Sequence, residues 1–141
     1  MNAFRGSTRV QILRAVLLAD AAFEFVVAVL LFAATNRVAN WLDLERSVVL
    51  TVAVVFLVAG VALLALAWRP ERQHVWSLAV VNVAFGLAGW LWLVIDWDRF
   101  STDGRYVLGA VCDAAILIGL AEWFAVRQFD RTDATEHPGA R

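Results

Sequence analysis

Residues 48–68 read VVLTVAVVFLVAGVALLALAW, and this stretch decides the fold. Before its terminal Trp68, the only polar side chain in it is Thr51. A surface helix of a soluble bundle keeps a polar face toward water, and no such face exists here. A hydrocarbon core of roughly 30 Å takes about 20 residues at 1.5 Å each, so the block is one bilayer span long. Inside lipid each backbone N–H and C=O has to be satisfied within the segment, which makes the block an α-helix.

Three further blocks match it: Leu13–Ala34, Val75–Ile95 and Tyr106–Val126. The chain is 62% hydrophobic and only 18% charged, which sets it apart from soluble domains, where about a quarter of residues are charged. The expected architecture is an all-α, polytopic membrane protein. A four-transmembrane-helix bundle occupies 1–127, with helices at about 13–34, 48–68, 75–95 and 106–126. Residues 128–141, QFDRTDATEHPGAR, are polar and aperiodic and are expected to form a flexible cytoplasmic tail. The first block follows Arg5, Arg9 and Arg14 as a signal peptide would. It carries two acids and has no small-x-small site directly after it, so it reads as an uncleaved helix.

A net charge of −1 and the lack of a basic stripe argue against a nucleic-acid partner; the expected partner is the bilayer itself. Cys112 is the only cysteine, so an internal disulfide, a CxxC pair and a zinc-type cysteine cluster are all excluded. His74 and His137 have no metal-ligand partners at usable spacing, and no cofactor or catalytic set is expected.

Arginines sort by loop. Eight of the twelve fall in the N-terminal segment, the second loop and the tail, against four in the first and third loops. The positive-inside rule then puts both termini in the cytoplasm of a cell whose inner (plasma) membrane holds the chain. Tryptophans agree: Trp68, Trp76 and Trp123 fall near one set of helix ends, Trp41, Trp92 and Trp97 near the other.

Within this apolar frame, LLADAAFEF (residues 17–25) places Asp20 and Glu24 on one face of the first helix. A charge at mid-membrane costs about 2.5–3.5 kcal/mol, so this face is expected to look into the bundle. Two carboxyls so close in low dielectric are not expected to be ionised together. The third helix offers Ala79, Asn82, Gly86 and Gly89 in 3-4-3 spacing, a small-residue stripe around one amide. Asp20 and Asn82 are expected to face each other at one depth. Asp20-Ala21-Ala22-Phe23-Glu24 also aligns with Asn82-Val83-Ala84-Phe85-Gly86, suggesting two parallel copies of one helical hairpin.

In the fourth helix Gly109 and Asp113 share a face, and Asp113 is assigned to the same polar column as Asp20, Glu24 and Asn82. Glu122, nine residues on, points the opposite way and is expected either to snorkel or to pair with Arg14 at the membrane interface. The second helix supplies Ala53, Gly60 and Ala67 as a packing seam. Two readings of the column stay open: a proton or cation relay, or interhelical glue.

The runs Leu13-Arg14-Ala15, Ala19-Asp20-Ala21 and Trp41-Leu42-Asp43-Leu44 resemble the first hairpin of a family of small bacterial four-helix integral membrane proteins. Asn82, Thr102, Gly104 and Arg127 continue the likeness. The resemblance implies a fold and a membrane location, with no reaction, cofactor or site residue. Glu24 stands where that family usually has a small residue. The expected function is therefore a non-catalytic membrane component or accessory subunit, alone, as a homo-oligomer or with other membrane subunits. The alternative is a proton-coupled small-molecule or ion transporter or channel using the carboxylate column.

Overall fold

A computed structural model describes the backbone of residues 2–136 and the side chains of residues 10–127. The side chains of Arg5, Arg9, Arg131 and Arg141, counted above, and the end of the tail at 137–141 lie outside the described residues. The elements are α1 (Asn2–Ala33), α2 (Thr35–Trp41), α3 (Arg46–Trp68), α4 (Arg72–Ile95), a single 3₁₀ turn (Trp97–Arg99) and α5 (Thr102–Glu136). Four of these contain stretches long and apolar enough to cross a membrane: Val10–Ala33, Arg46–Trp68, Arg72–Ile95 and Thr102–Arg127.

Two boundaries differ from the sequence expectation. The first is α2, which begins where the first apolar block ends. The Thr35 hydroxyl donates back to the carbonyls of Leu31 (2.7 Å) and Phe32 (2.9 Å), a bond that competes with the helix ladder and bends it. α2 then stops in a left-handed residue, Asp43 (φ 49°), with the Leu44 N–H returning to the Ala39 carbonyl at 2.9 Å. The second is the tail. α5 runs unbroken to Glu136, because no proline occurs in it before Pro138 and no glycine follows Gly119 until Gly139; residues 128–136 are helical rather than irregular.

The spanning helices pack as two hairpins, α1 against α3 and α4 against α5, and α1 against α5 joins them. Small residues set the spacing. A side chain at Gly119 would strike the Ala79 carbonyl and Val83, and one at Gly86 would strike Ile116 and the Cys112 carbonyl, so α4 and α5 approach backbone to backbone. On α3 the buried run Val49, Ala53, Phe56, Gly60, Leu63, Ala67 faces α1, with Gly60 seated on Phe25 and Glu24. Leu13, Leu17, Ala21, Leu63, Val75 and Val126 close the core toward the termini.

α3 and α4 are the two neighbours that do not pack along their length. They meet chiefly where Phe56 and Phe85 stand edge to face, ring centres 6.0 Å apart. The far end of the bundle is tied separately: the Ser101 N–H bonds the Trp41 carbonyl at 2.9 Å, Gly104 lies against that same carbonyl, and Arg99 reaches Asp43 at 3.4 Å. At both ends arginines lie over tryptophan rings, Arg14 on Trp68 and Arg127 on Trp123 at one, Arg37 on Trp41 and Arg105 on Trp97 at the other. Such pairs suit the headgroup level, where a ring is half wet and a cation is neutralised.

Candidate functional site: an amide between carboxyls and the cleft beside it

Asn82 sits halfway along α4 and turns toward α1 and α5. Its side-chain nitrogen donates to Asp20 Oδ2 at 3.1 Å and to Glu122 Oε2 at 3.1 Å. Asp20 is 1% exposed and Glu122 fully buried. One amide thus bridges three helices at one depth, each of its two N–H groups spent on a different carboxyl. The remaining oxygens, Asp20 Oδ1 and Glu122 Oε1, are buried with no hydrogen-bond partner. Two carboxyls against one amide in low dielectric cannot both carry charge without large cost, and a proton between them removes the repulsion.

Of the expected column, the structure brings Asp20 and Asn82 together and keeps Glu24 one turn along the same face of α1. Glu24 is half-buried beside Gly60 and makes no hydrogen bond to a described residue. Asp113 is a correction. It lies on the exposed face of α5, where its carboxylate accepts from Trp90 Nε1 at 2.9 Å, and it belongs to no inner column. The Arg14–Glu122 pair is a second correction. Glu122 turns inward on the face of α5 that packs against α4 through Gly119 and accepts from Asn82, whereas exposed Arg14 lies over Trp68, 5.7 Å from its ring centre. The relation between Asp113 and Glu122, on opposite faces, holds; what the sequence reading inverted is which of them points in.

Beside the amide, the α3–α4 seam opens into a cleft of about 410 Å³. Asp20, Glu24 and Asn82 form its polar floor, Val55, Phe56, Val81 and Phe85 are among its apolar walls, and His74 and Ser77 mark its end toward the termini. His74 Nδ1 lies 3.2 Å from Glu71 Oε2, both side chains well exposed. Beyond the Phe56–Phe85 pair a second cleft of about 350 Å³ continues along the same seam, lined by Val52, Ala88, Trp92, Val111 and Cys112 among others, with no charged or amide side chain. No group of three or more histidine, cysteine, aspartate or glutamate side chains suited to a metal ion occurs among the described residues.

The partition at Phe56–Phe85 and the role of Glu122 escape sequence reasoning. A signal for Glu122 did exist: Cys112, Ala115, Gly119, Glu122 and Val126 follow 3-4-3-4 spacing, and all are buried. No family model, curated protein or solved structure matches the chain.

Proposed function

We propose that the chain is a non-catalytic, multi-pass protein of the plasma membrane, both termini cytoplasmic, that takes up a small ligand in the inner cleft of its α3–α4 seam. One observation carries this reading: the cleft ends on Asp20, Glu24 and Asn82, the polar groups most expensive to keep in a bilayer. Asp20 and Glu122 are sealed by neighbouring helices, whereas Glu24 is half-buried at the cleft and has no described helix closing over it. Conduction through the bundle is the less favoured form of the same idea. An ion leaving the polar floor would meet the Phe56–Phe85 pair and then a cleft with no group to replace its hydration.

The test is uptake of 4-phenylbutan-1-ol, an apolar body with one polar end, by protein in phosphatidylcholine nanodiscs over nanodiscs without protein. Ala59 lines the cleft, and Ala59→Trp fills it. Wild-type protein is expected to bind in excess of the lipid background and the Ala59→Trp variant to bind none. Uptake equal to empty nanodiscs, or undiminished in the variant, contradicts the reading.

A further inference from the structure

The balance of donors and acceptors at the cleft floor is one-sided. Asn82 has two N–H donors, and Asp20 and Glu122 take both. Ser77, at the cleft's end, gives its hydroxyl to the Gln73 carbonyl at 3.0 Å. His74, at the same end, has its Nδ1 3.2 Å from Glu71. Asp20 is sealed against Asn82 and Glu122, so what the floor offers a ligand is the acceptor group of half-buried Glu24. Glu24 lies on the face of α1 that lines the cleft, and no cation is within ion-pair distance of it among the described residues. A carboxyl in that position is stabilised by a partner bringing both donors and positive charge.

The walls specify the rest. They are almost wholly apolar and enclose far more volume than a bare ion needs, with two aromatic rings, Phe56 and Phe85, closing the far end. A metal ion is a poor fit, since the two carboxyls are not joined by a third ligand of metal-binding type. The rim residues Val55 and Val81 are 60% exposed, so the cleft opens sideways between α3 and α4. A ligand entering there comes from the bilayer and is amphiphilic.

We infer that the inner cleft is a binding site for a primary ammonium compound with an apolar body, its ammonium against Glu24 and its body along the α3–α4 seam toward Phe56 and Phe85. An ammonium carries three donors and a unit charge, whereas an alcohol carries one donor and no charge. The inference rests on the ligand-uptake reading and names the chemistry of the same site.

The experiment compares 4-phenylbutylamine with 4-phenylbutan-1-ol on full-length protein in zwitterionic phosphatidylcholine nanodiscs at neutral pH, where surface charge does not recruit the amine. Titration calorimetry is expected to show the amine binding about tenfold tighter than the alcohol, the value of one charge-assisted contact near 1.4 kcal/mol. Glu24→Gln, which removes the carboxyl without breaking a hydrogen bond to any described residue, is expected to bring the amine down to the alcohol's affinity. Amine and alcohol binding alike, or an amine preference that survives Glu24→Gln, overturns the inference and leaves ligand uptake standing. Neither compound binding overturns both.

Discussion

The two halves of the α3–α4 seam share their helices and end on the same pair of phenylalanines, yet they are chemically opposite. Toward the termini the seam rests on Asp20, Glu24 and Asn82; toward the loops it rests on valine, leucine, alanine and tryptophan. The difference is written almost entirely in α1 and α4. α3 contributes apolar residues to both halves, whereas α1 changes from Asp20 and Glu24 to Val27 and Leu31 within three turns. Small-residue packing serves both ends, and at the polar end an interhelical amide–carboxyl network is added to it. The difference teaches that the polar floor and the open seam lie side by side only in the inner half.

The largest expected effect lies at the amide. Asn82→Leu removes the donor that Asp20 and Glu122 share and leaves two buried carboxyls unpaired, a loss of about 4 kcal/mol at about 2 kcal/mol for each orphaned group. Denaturant unfolding in detergent measures it. A loss below about 1 kcal/mol would mean that the hairpins are joined by α1–α5 packing alone. Phe56→Ala is expected to cost about 3 kcal/mol, as for other buried phenylalanines, and to merge the two clefts, so that a longer alkylamine binds the variant better than wild type. If chain-length preference stays as in wild type, the rings do not divide the seam. The smallest effect belongs to Glu24→Gln, expected within about 0.5 kcal/mol of wild type in stability, because Glu24 makes no hydrogen bond to a described residue and is half-buried at the cleft. A strong destabilisation there would move Glu24 from the ligand site into the structural core.

The spans were readable from the sequence because lipid leaves only one solution for a 20-residue apolar run. Asp20 facing Asn82 was readable for a similar reason: a carboxyl and an amide at matching depth on helices of small residues have few other places to go. Asp113 and Glu122 were harder. Nine residues fix their relative direction on an α-helix, but an absolute direction needs to know which stripe packs, and sequence offers a glycine one turn from each, Gly109 from Asp113 and Gly119 from Glu122. Asp113 instead satisfies itself against Trp90 on the exposed face. The short α2 carries too few residues for a periodicity to declare it, and its bend depends on a single hydroxyl, Thr35. The aromatic partition joins residues of two helices that otherwise scarcely pack, a pairing without any sequence signature.

The central claim is that the seam has a polar, acidic floor on one side of the phenylalanine pair and a wholly apolar lining on the other. Ala59 and Val52 lie on the same face of α3, two helical turns apart, and line the inner and outer clefts respectively. In a Cys112→Ala background, Ala59→Cys and Val52→Cys are to be reacted in membranes with the water-soluble cationic thiol reagent methanethiosulfonate ethylammonium. The account predicts modification at position 59 and none at position 52 over the same interval. Equal rates at the two positions, or faster reaction at 52, would contradict it.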